Sequence, residues 1–171
     1  MFVAFWSSVF VAVTSQISTL CLALSPAALA ITFWYSLAKR YTNYSQLFLG
    51  LAMAVAPVGG WLAAGGRAGW EPWLLGLAIG MWVGGFDVLY ACQDVDFDRN
   101  QGLRSIPVRY GVSKSLWISR GMHVVTIVML TALAAVTSLG LIYLFGVVVV
   151  AALLVYEQSL VRANDLSRIK Q

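Results

Sequence analysis

The chain has 171 residues, of which 60% are hydrophobic and 11% are charged, and its formal net charge is +4. Soluble domains carry about a quarter charged residues, so this composition excludes a soluble enzyme, a disordered chain and a nucleic-acid-binding domain. The two cysteines provide neither a disulfide framework nor a metal site. We therefore expect an integral membrane protein whose surroundings are the lipid bilayer and which binds no nucleic acid.

Charge-free apolar runs predict the membrane-spanning helices, because a helix needs about 20 apolar residues to cross the hydrocarbon core. The first two runs abut, and Ser25-Pro26 is the predicted break between them, since proline suits the first turn of a helix. Six helices are predicted, at residues 2–24, 26–38, 47–64, 72–92, 116–137 and 139–156. The predicted fold class is all-α, a polytopic membrane helix bundle of about six transmembrane helices that forms a single membrane domain over residues 1–171.

The connecting segments indicate the orientation of the bundle. When these segments are assigned alternately to the two sides of the membrane, one side receives only Arg67. The other side receives ten of the eleven basic residues: Lys39, Arg40, Arg99, Arg104, Arg109, Lys114, Arg120, Arg162, Arg168 and Lys170. Basic residues accumulate in cytoplasmic loops. The side that carries them is therefore predicted to be cytoplasmic.

Two features inside the predicted helices favour structural roles. Gly76, Gly80 and Gly84 recur at every fourth position, which is the small-residue spacing of closely packed membrane helices. His123 is the single histidine and lies within a predicted span. We expect a hydrogen-bonded interior histidine rather than a catalytic one.

Four of the seven acidic residues fall within twelve positions. If the fourth helix continues through this stretch, one face carries Asp87, Tyr90, Asp94 and Asp98, whereas Asp96 points away. Carboxylates on one face repel one another unless a cation lies between them. Mg²⁺ prefers carboxylate oxygens and is commonly shared with substrate phosphates, so the pattern predicts a Mg²⁺ site.

Basic and hydroxyl side chains follow the acids directly. Arg104, Ser105 and Arg109 provide forked and hydroxyl donors for phosphate oxygens. At the end of the second predicted helix, Tyr35 and Lys39 are spaced by four, and Arg40 follows. Acids for a metal and bases for phosphate thus converge at one membrane face. The alternative interpretation is a helix cap with a charged cytoplasmic loop.

These motifs resemble those of a known family. Asp87-x-x-Tyr90-x-x-x-Asp94-x-x-x-Asp98, followed by Gly102-Leu-Arg-Ser105-Ile-Pro-Val-Arg-Tyr-Gly111, resembles the second aspartate-rich motif of the UbiA superfamily of intramembrane aromatic prenyltransferases. Tyr35-Ser-Leu-Ala-Lys39-Arg40-Tyr41-Thr42 is similar to a loop of that family. The stretches 49–57 and 156–168 resemble the helix after that loop and the segment before the final helix.

The resemblance implies nine membrane helices around a cavity and Mg²⁺-dependent transfer of a polyprenyl group. The donor is a polyprenyl diphosphate, and the acceptor is an aromatic compound such as 4-hydroxybenzoate in quinone biosynthesis. It implies the bacterial inner membrane, with the active site facing the cytoplasm. Catalytic and metal-binding roles fall on Asp87, Asp94 and Asp98; substrate-binding roles fall on Tyr35, Lys39, Arg40, Tyr90, Arg104, Ser105 and Arg109.

The family also has a first aspartate-rich motif, Asn/Asp-x-x-x-Asp, which has no counterpart in this sequence. The six predicted helices correspond to the family's third to eighth. A truncated fragment or pseudoenzyme is therefore an alternative, and we expect inefficient transfer by these 171 residues alone. A small membrane transporter is disfavoured because a cation path does not need bases beside its acids. A phospholipid-head-group transferase is disfavoured because its Asp-Gly-x-x-Ala-Arg motif does not occur.

Overall fold

The computed structural model describes residues 1–66 and 69–161. The regular structure of these residues is entirely α-helical, which confirms the predicted class. In chain order the helices are α1 Phe2–Ile17, α2 Thr19–Tyr41, α3 Ser45–Ala63, α4 Glu71–Gln93, α5 Val95–Asn100, α6 Ile106–Tyr110, α7 Val112–Val136 and α8 Leu141–Leu160.

Five of these helices, α2, α3, α4, α7 and α8, are long and apolar enough to cross a membrane. The sixth apolar helix, α1, has 16 residues and is shorter than the roughly 20 that a span requires. The six apolar helices follow the predicted order, and the short helices α5 and α6 lie between the fourth and fifth of them. The protein is an integral membrane protein.

The predicted helix break at Ser25-Pro26 is wrong, because α2 begins at Thr19 and contains the proline. The break lies at Ser18, whose extended backbone ends α1 and whose Oγ accepts a hydrogen bond from the Cys21 N–H at 3.1 Å. Proline lacks the N–H that would bond to the Leu22 carbonyl. The Ser25 hydroxyl donates to that carbonyl instead, at 2.8 Å, so the helix accommodates the proline.

Helix α4 lies at the centre of the bundle and packs against α3 and α7. Its predicted glycine stripe is a packing surface, as expected. A Cβ atom on Gly80 would lie 2.9 Å from the Gly50 carbonyl oxygen, and one on Gly76 would lie 3.2 Å from the Ala54 carbonyl oxygen. Only glycine lets two helix backbones approach this closely.

Hydroxyl groups join α7 to the other side of α4. Ser119 donates to the Gly85 carbonyl at 2.8 Å, and Thr126 donates to the Ala78 carbonyl at 3.2 Å. His123 is buried, and its Nδ1 lies 3.0 Å from Gln158 Nε2 on α8. This contact agrees with the expectation of a hydrogen-bonded interior histidine.

The two ends of the bundle differ in chemistry. One end, which we call the polar end, comprises residues 39–46, residues 93–115 and the last turn of α8. The opposite end contains an apolar cavity of about 650 Å³ between the first four helices, with walls that include Phe10, Leu24, Val55 and Leu77.

Of the basic residues on which the predicted orientation depends, four lie outside the described residues: Arg67, Arg162, Arg168 and Lys170.

Candidate active site

The centre of the polar end is an ion pair between α2 and α5. Lys39 Nζ lies 3.1 Å from one Asp98 carboxylate oxygen and 3.3 Å from the other. The Asp98 side chain is 2% exposed, whereas the Lys39 side chain is 37% exposed. A buried carboxylate needs such compensation, because removing an unpaired charge from water is costly.

The acidic stretch is not one continuous helix, because α4 ends at Gln93 and α5 begins at Val95. The Asp94 N–H bonds to the Ala91 carbonyl at 3.2 Å, three residues back, which tightens the last turn and interrupts the regular ladder. Asp94 is exposed and Asp87 is half-buried. The Asp96 side chain is exposed, whereas that of Asp98 is buried.

Asp87 belongs electrostatically to the same group, although it lies inside the membrane-spanning part of α4. Its carboxylate interacts with the charges of Lys39, Asp98 and Asp94. Tyr35, one turn before Lys39 on α2, interacts with both Asp87 and Lys39. Asp87 therefore lies within electrostatic range of Tyr35, Lys39, Asp94 and Asp98. Among these five residues, Lys39 and Asp98 form the ion pair.

The segment after α5 is joined to the end of α2 by Arg104. Its backbone N–H donates to the Lys39 carbonyl at 2.8 Å, and its Nη1 donates to the Tyr41 carbonyl at 2.9 Å. Ser105, predicted to contact substrate, is fully buried and caps α6 by accepting from the Val108 N–H at 3.4 Å. In this conformation both residues fix the loop beside the ion pair.

Arg109 is held by aromatic rings at the surface of the polar end. Its guanidinium carbon lies 5.6 Å from the centre of the Tyr44 ring and 5.1 Å from that of Tyr110, within cation–π range. The two tyrosine hydroxyls are 2.7 Å apart. The pKa of Tyr110 is raised above its ordinary value, mainly by this hydrogen bond. Arg109 is exposed, so its donors are available to an anion.

Two predicted substrate-binding residues, Tyr90 and Arg40, form no hydrogen bond or ion pair with Lys39 or Asp98. Tyr90 is 47% exposed, and its ring stacks on Phe86 with 6.0 Å between centroids. Arg40 is exposed and forms no ion pair with any residue in the described ranges 1–66 and 69–161. Both residues are therefore exposed.

Sequence reasoning missed Gln46, whose side chain is fully buried in the first turn of α3. Its Oε1 accepts a hydrogen bond from the Ile106 N–H at 3.3 Å and so joins α3 to the start of α6. The available signal was a lone amide at the start of an apolar helix. Such a residue is usually buried with a specific partner, but its partner, 60 residues away, has no sequence signature.

The donor set of the acidic stretch fits a hard divalent cation. Asp98 already binds a cation, the Lys39 ammonium, through both oxygens, and Asp94 presents an exposed carboxylate. No three His, Cys, Asp or Glu side chains within the described part of the chain lie close enough together to enclose a metal. A Mg²⁺ ion would therefore complete its shell with water or phosphate oxygens.

The fold and the polar end together define an all-helical membrane protein with carboxylates and bases gathered at one membrane face. The chain belongs to the UbiA prenyltransferase family, whose profile matches residues 1–171. The structure is similar to a solved one described as the apo structure of a UbiA homolog from Aeropyrum pernix K1. The TM-score is 0.88 at 31% identity, over 98% of this chain and 64% of that one.

Curated relatives carry a more specific name. The chain is 35% identical over 146 residues to a 4-hydroxybenzoate octaprenyltransferase of Vibrio campbellii, which is 85% of this chain and 51% of that protein. It is also 35% identical over 156 residues to the protein of the same name in Marinobacter nauticus, over 91% of this chain and 53% of that protein. The chain thus spans about half the length of these relatives.

Proposed function

We propose that the protein binds a polyprenyl diphosphate at the polar end and takes part in transferring the polyprenyl group to an aromatic acceptor such as 4-hydroxybenzoate. The observation that carries this proposal is the ion pair between Lys39 and the buried carboxylate of Asp98. It places an anion-binding cation and a cation-binding carboxylate in direct contact at the end of a membrane bundle. A metal–diphosphate complex needs both partners.

The proposed roles follow from exposure and charge. Asp94 and Asp98 hold Mg²⁺ together with the diphosphate, and Asp87 supports them from deeper in α4. When bound, Mg²⁺ neutralises negative charge on the departing diphosphate. Lys39 and Tyr35 contact the diphosphate directly, whereas the exposed guanidinium groups of Arg40 and Arg109 attract it.

The remaining site residues act by position. Arg104 and Ser105 hold the loop after α5 against α2, through the backbone contacts described above. The stacked rings of Tyr90 and Phe86 provide an aromatic surface next to the acids. Such a surface suits a developing allylic cation, because aromatic faces attract positive charge.

The identity of the acceptor rests on the relatives named 4-hydroxybenzoate octaprenyltransferase. By the same likeness we place the reaction in quinone biosynthesis and the protein in the bacterial inner membrane, as one membrane domain over residues 1–171. The basic residues of the polar end support a site at the cytoplasmic face.

The test measures retention of a radiolabelled polyprenyl diphosphate by the purified chain in nanodiscs with Mg²⁺. Asp94→Ala and Asp98→Ala should each weaken binding at least about 10-fold, since each removes a charge-assisted contact. Asp96→Ala is the matched control and should bind as the unmodified protein does. Equal weakening by all three substitutions would contradict the proposed site.

The same preparation, supplied with 4-hydroxybenzoate, separates transfer from binding. Slow formation of a prenylated product that Asp94→Ala or Asp98→Ala reduces at least about 100-fold supports a transferase. Retention of the diphosphate without any product would instead indicate a family member that binds the donor and does not transfer it.

A further inference from the structure

We infer that the Lys39 ammonium occupies the cation position of the site until a diphosphate arrives, so that metal binding depends on the diphosphate. This inference rests on the proposed function. It assigns Lys39 a second role, in selecting a metal–diphosphate complex over the free metal ion. Lys39 competes with the metal for Asp98, and the diphosphate relieves that competition by offering Lys39 another anion.

The first support is the geometry of the pair. The ammonium contacts both carboxylate oxygens of Asp98, at 3.1 and 3.3 Å, so a metal ion that uses Asp98 must take at least one oxygen from it. A second positive charge at that distance would repel the ammonium strongly, because the carboxylate is almost completely buried. A bare divalent ion therefore meets a site that is already neutralised.

The second support is that the backbone of Lys39 is fixed, whereas its side chain is partly exposed. Its carbonyl accepts the Arg104 N–H, and the Arg104 side chain bonds to the Tyr41 carbonyl, so the backbone at the end of α2 is held by contacts that do not involve the ammonium. The side chain is 37% exposed. The ammonium can turn outward to a diphosphate while both bonds remain in place.

The third support is charge balance. When Lys39 turns away, the buried Asp98 carboxylate is left without compensation, which is strongly unfavourable. A divalent ion arriving with the diphosphate provides that compensation. Each ligand therefore creates the condition for the other, and by linkage the coupling is reciprocal. The site selects a metal–diphosphate complex over free metal.

The test compares the affinity for Mn²⁺ alone in the unmodified chain, Lys39→Met and Lys39→Gln, reconstituted in nanodiscs and followed by electron paramagnetic resonance. Both variants should bind Mn²⁺ about 10-fold more tightly than the unmodified chain, a typical size for such coupling. Lys39→Gln retains a hydrogen-bond donor to Asp98 and serves if Lys39→Met does not fold. Lys114→Met is the matched control, since it removes an exposed lysine of the same membrane end; it should change the affinity less than 2-fold.

A second measurement uses the Mn²⁺ complex of inorganic pyrophosphate. The unmodified chain should bind this complex, and Lys39→Gln should bind it more weakly, although the same variant binds free Mn²⁺ more tightly. If the unmodified chain binds the complex and neither variant gains affinity for free Mn²⁺, the inference is overturned and the proposed function stands. If no protein binds the complex, the proposed function is overturned as well.

Discussion

The polar end of the bundle and the opposite end differ in what holds their helices together. At the polar end, side-chain hydrogen bonds join residues 59, 60 and 66 positions apart, as in Lys39–Asp98, Gln46–Ile106 and Tyr44–Tyr110. At the opposite end, polar side chains such as Thr14 and Ser25 bond within their own helices and surround an apolar cavity. Hydrogen bonds between distant segments set the geometry of the polar end. At the opposite end, apolar contacts predominate, and the hydrogen bond from the Tyr143 hydroxyl to the Leu130 carbonyl joins neighbouring helices that are close in the chain.

The two ends of the bundle should face opposite sides of the membrane, and the accessibility of each end to a reagent outside the cell should therefore be all or none. In a background without Cys21 and Cys92, Gly66→Cys and Ser138→Cys should react with an impermeant thiol reagent from outside intact cells. Cysteines at Asn43 and Asn100 should react only after permeabilisation, because positive charge keeps that end cytoplasmic. Position 163, expected to behave likewise, lies outside the described residues.

The permeabilised sample is the control, since every single-cysteine variant should be labelled there. The reverse labelling pattern would contradict the orientation and the cytoplasmic placement of the site.

The next largest effect is expected where α3 and α4 touch. A Cβ atom on Gly50 would overlap the Gly80 backbone carbonyl, which cannot move aside, whereas one on Gly60 of the same helix would meet no atom within 4 Å among the described residues. Gly50→Ala should lower the free energy of unfolding by about 1–3 kcal/mol through overpacking. Gly60→Ala should leave it unchanged or raise it by up to about 1 kcal/mol.

Thermal unfolding in detergent, followed by tryptophan fluorescence, measures both variants. Equal melting temperatures for the two would show that the glycine contact does not fix the distance between α3 and α4.

A smaller effect is expected in the polar contacts that attach α8. Gln158 Nε2 lies 3.0 Å from Ser119 Oγ and 3.0 Å from His123 Nδ1. Because the Ser119 hydroxyl donates to the Gly85 carbonyl, it accepts from the amide. Gln158→Leu leaves two buried acceptors without a donor and should lower the unfolding free energy by about 1–2 kcal/mol.

The control for this substitution is Ser159→Ala, since the exposed Ser159 hydroxyl bonds only to the Tyr156 carbonyl of its own helix among the described residues. Its unfolding free energy should stay within about 0.5 kcal/mol of the unmodified value. If both variants unfold alike in the same fluorescence measurement, the contacts of Gln158 do not attach α8.

The smallest effect is expected at Asp96, on the outer side of α5. Its side chain is 95% exposed and lies 3.8 Å from Arg99. An exposed pair of this kind contributes little, so Asp96→Asn should shift the unfolding free energy by less than about 0.5 kcal/mol in the same measurement. A loss as large as that of Gln158→Leu would mean that the outer face of α5 is packed against another element.

Much of the fold is predictable from the sequence, because an uncharged apolar run of the right length has few alternatives to a helix in lipid. The predicted position of the first helix break is wrong because two local signals compete. Proline favours the first turn of a helix, but Ser18 caps α2 with its own hydroxyl, and Ser25 satisfies the carbonyl that Pro26 leaves free.

The residue types of the candidate site are predictable from the sequence, but the contacts between these residues are less so. Charges are rare in this chain, so the clustering of acids and bases is visible from sequence spacing. The pairing of Lys39 with Asp98 and the bond from Arg104 to the Tyr41 carbonyl depend on how α2 lies against the segment after α4. Lys39 and Asp98 are 59 residues apart in the chain, and Tyr41 and Arg104 are 63 residues apart. No local sequence pattern encodes contacts between residues so far apart.

The length of α4 determines how deep its acidic residues lie in the bilayer. Its 23 residues, at about 1.5 Å per residue, extend roughly 34 Å, slightly more than the hydrocarbon core of about 30 Å. Asp87 and Asp94, seven residues apart, are separated by about 10 Å along the axis. When α4 is perpendicular to the bilayer and its last turn lies at the head-group level, Asp94 lies at that level and Asp87 lies below the hydrocarbon boundary. A ligand whose charged group lies beside Asp94 places its next few carbon atoms at the depth of Asp87, where water is scarce.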